Sequence, residues 1–314
     1  MKRIVLPLLA ALLAVTVTAC STGAPKQPPS SQQMPSLRVG TLQTDDLLPL
    51  WVAQQQGLLD DAGLDVDIQV FQSAQEQIAA VTAGQIDAIM TDQVVGIQLA
   101  AAGTSMKFVT VMQAAPAGVV ASADTGITTP ADLAGVETGC ASPTILEYIY
   151  DRALSEAGVP DDQIKTTEIK KLPVRLQMLT SGQIKAAVLP WTLFQLALDQ
   201  GAVSVVGLDQ AGPYTSTVLA YRADWLALDG ASDAVTALLG QWDKAVGIIN
   251  ADPNAQRALL ADKASLPAPL DTTYPVRTYP LSGPPPTQQV QDVIDWMSAK
   301  GYLTTPLSVS DVTW

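Results

Sequence analysis

Apolar positions along this chain come in short runs separated by helix-spaced segments that end at glycine. Leu37-Arg38-Val39-Gly40 predicts a strand, followed by a polar loop from Thr41 to Leu48. Pro49 suits the first turn of a helix. Leu50, Ala53, Leu58 and Ala62 can share one face, so a single helix is expected from Pro49 to about Ala62, with Gly63 as its stop. Asp65 to Val70 alternates polar and apolar residues, as a half-buried strand does. Ser73 is placed to cap a helix that ends before Gly84, and Ile86 to Met90 gives the next strand. This βαβαβ order predicts an α/β protein with a mostly parallel sheet.

The pattern then repeats. Gln77 to Ala88 is echoed by Arg175 to Ala186, with Gly84-Gln85-Ile86 matching Gly182-Gln183-Ile184. Gly103 and Gly201 keep the same offset, and Glu156-Ala157-Gly158-Val159 resembles Asp61-Ala62-Gly63-Leu64. Repeated order at fixed spacing predicts two related α/β lobes. Their junction is a cleft, and ligands of open α/β sheets sit beyond the carboxyl ends of the strands. Six loops are thereby candidates: 41–48, 71–74, 91–93 and 113–116 in the first lobe, 140–144 and 190–193 in the second. Residues 37–121 are assigned to the first lobe, 122–216 to the second, and 217–314 to a return into the first with C-terminal helices. The chain is expected to cross near 118–124 and to return near 214–221. Two crossings make a two-segment hinge that permits closure on a ligand.

Residues 1–36 read differently. Lys2 and Arg3 precede the apolar run Ile4–Val17, and Val17-Thr18-Ala19-Cys20 follows. This resembles a bacterial lipoprotein signal, residues 1–19, whose Cys20 becomes lipidated. The apolar run is short for a spanning helix. Residues 20–36, rich in Pro, Ser and Gln, read as a flexible tether.

Composition narrows the function. Seventeen basic and 30 acidic residues give a net charge of −13, and there is no histidine. Loss of Lys2 and Arg3 with the signal leaves 15 against 30, or −15. So acidic a surface argues against nucleic acid as a partner. Without histidine there is no Ser-His-Asp or Cys-His nucleophile and no His-ligated zinc. Two cysteines, one of them Cys20, build neither a Cys-rich metal site nor an intramolecular disulfide. No cofactor or metal is expected.

Several stretches together resemble the substrate-binding lipoproteins of ABC importers, in the nitrate/sulfonate/taurine and thiamine-pyrimidine-precursor group. They are Leu37–Gly40, Pro49–Leu59, Ala62–Val66, Ala83–Ala88, Gly126–Gly135, Gly182–Val188 and Val290–Leu303. The resemblance implies a type II periplasmic-binding-protein fold and a monomeric receptor on the extracytoplasmic face of the membrane. Such a receptor captures a small molecule in its cleft and passes it to a permease. An enzyme on the same fold and a solute sensor uncoupled from import are the alternatives.

For the ligand, the six loops carry Asp45, Asp46 and Asp92 but no Lys, Arg or His. That favours a neutral or amine-bearing molecule over a sulfonate or nitrate. Trp191 either stacks on a planar ligand or anchors the helix expected over 191–200. Asp92 either meets a ligand amine or caps the helix beginning near Val94. Ser142, before Pro143, is expected as an N-cap and is also a ligand candidate, with Cys140 and Thr144 beside it. Thr41, Ser73 and Thr91 complete the set. Trp51 is expected to pack in its helix, and Gly283–Pro286 to form a rigid connector.

Overall fold

The computed structural model describes residues 34–113, 117–207 and 217–314. Cys20 and its flanking segments lie outside the described residues. Two five-stranded sheets carry the architecture. The first has the order β2-β1-β3-β10-β4, with β1 Leu37–Leu42, β2 Val66–Phe71, β3 Ala88–Asp92, β4 Met106–Gln113 and β10 Thr217–Arg222. The second has the order β7-β6-β8-β5-β9, with β5 Ala117–Ala121, β6 Thr138–Cys140, β7 Thr166–Glu168, β8 Ala186–Pro190 and β9 Val203–Val206. In each sheet three parallel strands are followed by one antiparallel strand, β10 or β5.

That symmetry corrects one boundary. β5 pairs with β8 and β9, so Ala117–Ala121 belongs to the second sheet and the first crossing lies before Ala117, not at 118–124. β5 is the antiparallel strand that each sheet receives from across the junction, as β10 is for the first. Its partners are distant in sequence, and nothing local marks the sheet it joins.

The helices on the repeat are α3 Ala74–Thr82 and α4 Gln93–Ala101 in the first lobe, α6 Leu172–Thr180 and α7 Trp191–Asp199 in the second. The single helix expected over Pro49–Ala62 is instead two, α1 Leu48–Gln55 and α2 Leu58–Asp61, broken at Gly57 with φ 71°. Gly84 and Gly182 close α3 and α6 at φ 70° and 72°, where a side chain would be strained.

Packing preserves the repeat as well. An added Cβ on Gly40 would lie 2.6 Å from Ile86 Cδ1, and one on Gly139 would lie 2.6 Å from Ile184 Cδ1. Each lobe therefore uses a glycine in its first strand to admit the isoleucine of Gly-Gln-Ile. Gln77 Nε2 donates to Met90 O at 2.9 Å, and Arg175 Nη1 donates to Val188 O at 2.7 Å. These are equivalent bonds to the middle residues of equivalent strands.

Of the later helices, α8 Ala231–Ala251 and α9 Arg257–Lys263 pack on α1 of the first lobe, while α10 Thr287–Ala299 touches both lobes. α10 packs on α4 of the first lobe. It also reaches α5 Ile145–Glu156 of the second, where Trp296 Nε1–H donates to Asp151 at 2.9 Å and Lys300 lies 2.6 Å from the same carboxylate. Tyr302 donates to Glu147 at 2.7 Å. Trp51, 2% exposed, belongs to the apolar core. Gly283 bridges Val111 of β4 ahead of α10. Among the described residues no helix is long and apolar enough to cross a membrane.

Candidate functional site

A cavity of ≈ 120 Å³ lies between the sheets, walled by both lobes. The first lobe contributes residues 44–46 after β1, Ser73 to Gln75 at the start of α3, and Met90 to Asp92 at the end of β3. The second contributes Thr144 to Leu146 at the start of α5, Leu172 and Arg175 on α6, and Pro190 to Thr192 at the start of α7. Strands end and helices begin at these positions, so the N-terminal dipole ends of α3 to α7 converge on the space. Its volume is close to the ~150 Å³ of a cavity that holds benzene, which sets the scale of what fits inside.

Asp92 is the polar centre of the first-lobe wall. It caps α4, accepting from Val95 N–H at 3.0 Å, and it also faces the cavity. Capping and cavity-lining thus coexist. Burial pushes its pKa up to about 6; the backbone N–H groups of Val95, Val94 and, across the cleft, Ile145 pull the other way, and Asp46 adds a further upward push. No described Lys or Arg forms an ion pair with it.

The other acidic candidates differ. Asp45 is 2% exposed and is anchored behind the wall: Arg277 Nε donates to it at 2.8 Å, and Tyr274 OH at 2.9 Å. Its carboxylate is committed to a buried ion pair and is not a solvated loop group. Asp46 accepts from Thr44 Oγ1 at 2.7 Å and Thr217 Oγ1 at 3.4 Å, two residues that also line the cavity.

Of the ten residues singled out from sequence, seven line the cavity: Asp45, Asp46, Ser73, Thr91, Asp92, Thr144 and Trp191. Thr41, Cys140 and Ser142 do not. Thr41 is buried and donates to Leu42 O. Cys140 is buried within the second sheet, its thiol pushed up to about 12 by desolvation. Ser142 turns its backbone N–H to Glu168 at 2.9 Å. The α5 cap is Thr144 and not Ser142: Thr144 accepts from Glu147 N–H, and the helix begins at Ile145. Ser73 caps α3 by accepting from Glu76 N–H.

Trp191 packs on its own helix and also lines the cavity. It stacks on Phe194, with ring centroids 5.0 Å apart and planes 15° from parallel, while lining the cavity.

Two cations escaped the sequence reading. Lys170 and Arg175 line the second-lobe wall, so the cleft does carry positive side chains. Lys170 stands two residues before α6 and lies 3.8 Å from Glu168. Arg175 is 1% exposed and held by the carbonyls of Ile169 and Val188; desolvation lowers its pKa, against the pull of Cys140 and Glu168. Lys170 lies in the loop between β7 and α6, a strand-end loop that the six candidates omitted, and Arg175 lies in the first turn of α6, beyond any such loop. The signal was available in the repeat, since Arg175 occupies the position of Gln77. No cluster of three or more Cys, Asp or Glu able to hold a metal ion occurs among the described residues.

Comparisons with known proteins agree with this geometry. No curated protein matches the sequence. Among solved structures, the periplasmic aliphatic sulphonate binding protein SsuA from Escherichia coli superposes with a TM-score of 0.76 at 19% identity, over 89% of this chain and 98% of that one. The alkanesulfonate-binding protein SsuA from Xanthomonas axonopodis pv. citri, bound to MOPS, gives 0.75 at 19% identity, over 90% and 99%. The periplasmic nitrate-binding protein NrtA from Synechocystis PCC 6803 gives 0.74 at 15% identity, over 90% and 86%. These likenesses establish a shared fold, that of the periplasmic binding proteins. The profile of the NMT1/THI5 like family matches residues 44–256, more than half of the sequence, and the chain belongs to that family.

Proposed function

We propose that this protein is an extracytoplasmic solute receptor that encloses a compact, amine-bearing molecule between its lobes and delivers it to an ABC importer. In this reading it works as a monomer, held at the membrane by lipid on Cys20 and a tether over residues 20–36. The fold it shares with the sulfonate- and nitrate-binding proteins supports a receptor role. Binding rather than catalysis fits a chain without histidine whose Cys140 thiol is buried and hard to ionise.

One observation carries the ligand class. Asp92 stands on the cavity wall with its pKa pushed up to about 6, a carboxylate short of a cation. A ligand amine would supply that charge. The flat side of Trp191 would cover an apolar or heterocyclic face of the ligand. Lys170 and the N-termini of α5 and α6 would receive an acceptor group at the ligand's other end. The ligand is then a small amine with an acceptor.

Calorimetric titration of the compound that copurifies with the protein tests this. An amine binds the carboxylate form of Asp92, so near pH 6 binding should release about half a proton per ligand. The release should disappear in Asp92→Asn. Proton release unchanged in that variant would separate the ligand from Asp92 and overturn the amine reading.

A further inference from the structure

We infer that the ligand carries an uncharged, apolar extension, and that a second compartment opening off the first cavity receives it. The inference rests on the receptor reading above. The second compartment has a volume of ≈ 480 Å³ and shares Leu42, Thr44, Leu172, Pro190 and Thr192 with the first, so the two adjoin.

Its walls are helical stripes. α6 presents Pro173, Leu176, Gln177 and Thr180, spaced i, i+3, i+4 and i+7, and α7 presents Leu193 and Leu196, with Gln200 just past its end. The first lobe closes the other side with the turn 264–267 after α9. There Ser265 sits at φ 52°, a left-handed conformation uncommon outside glycine, and Leu266 beside it is 9% exposed.

Charge separates the compartments. The first is lined by Asp45, Asp46, Asp92, Lys170 and Arg175, whereas none of the described residues lining the second is charged. The chain has 30 acidic and 17 basic residues, and an ordinary water-filled mouth would be expected to carry some of them. An uncharged space lined by six leucines and three prolines, with four glutamines, three threonines and a serine around them, joined to a charged one, suits an amphiphile: a compact polar head inside and a hydrocarbon tail outside it.

A homologous series of straight-chain amines, from propylamine to octylamine, tests the inference by calorimetry. Each methylene that enters the second compartment should lower the dissociation constant about fourfold. Gln177→Trp, at an exposed position on α6 that lines the compartment, should obstruct it. It should erase the gain for the long amines and leave propylamine binding as in the wild type. A dependence on chain length that is flat, or equally steep in Gln177→Trp, would overturn the proposal. If the amines fail but n-alkylsulfonates show the same slope and the same block by Gln177→Trp, the tail compartment stands and the amine head falls. Binding of neither series overturns the compartment.

Discussion

Replacing Asp92 with asparagine should make the protein more stable while making it a poorer receptor. The side chain caps α4 and sits in the cavity wall with its pKa pushed from the ordinary 3.8 to about 6 by burial. At 1.36 kcal/mol per pH unit, that gap corresponds to a cost of ~3 kcal/mol for holding the ionised form in the folded state at pH 7. The residue keeps some solvent contact, so ~3 kcal/mol is a ceiling. Asparagine is as good an N-cap as aspartate and retains the acceptor for Val95 N–H, so the variant removes the charge and little else. The sign follows from the raised folded pKa. The penalty is fully present above about pH 6, shrinks as folded Asp92 takes up its proton, and vanishes below the unfolded value near 3.8. Urea unfolding at pH 7 should therefore give Asp92→Asn an advantage of ~1–3 kcal/mol, and the two proteins should converge near pH 4. An advantage that does not change with pH would show that the charge is not its source. A destabilised variant would mean that Asp92 already has a cation in the free protein.

Asp45→Asn should do the opposite, because it breaks the buried pair with Arg277 and weakens the bond from Tyr274. A loss of roughly 3–5 kcal/mol is expected in urea unfolding, and a loss below about 1 kcal/mol would show that the pair adds nothing. Trp191→Ala should weaken ligand binding about tenfold or more in calorimetry. It also loses the stack on Phe194, at a cost of about 0.5–1.5 kcal/mol; a fall in melting temperature with unchanged affinity would confine the indole to packing. Gly118→Ala should cost about 3 kcal/mol in thermal or urea unfolding, since its Cβ would lie 2.4 Å from Val206 O and force β5 away from β9. Near-neutral behaviour would mean that the second sheet adjusts at that contact.

The sequence made the repeat legible because its signals are local. A glycine at positive φ ends each helix, and an isoleucine two residues later needs a glycine in the neighbouring strand. Asp92, Thr91, Ser73 and Trp191 could be placed near the cleft for the same reason: each lies at or just past a strand end that the pattern defines. What escaped depends on contacts distant in the chain. Asp45 and its partner Arg277 are 232 residues apart, so nothing around Asp45 distinguishes a buried ion from a solvated one. β5 joins the second sheet through partners that begin 65 residues after Ala121. Arg175 was hidden by its place inside a helix, where an isolated cation reads as surface. Its equivalence to Gln77 marks a buried donor serving a strand carbonyl.

Native mass spectrometry of the freshly purified protein tests the central claim most directly, because a receptor that closes over its solute tends to keep it. The account predicts one bound compound per chain, small and amine-bearing, that is retained by the wild type and lost or much diminished in Asp92→Asn. A bound sulfonate or nitrate held equally by Asp92→Asn would contradict it.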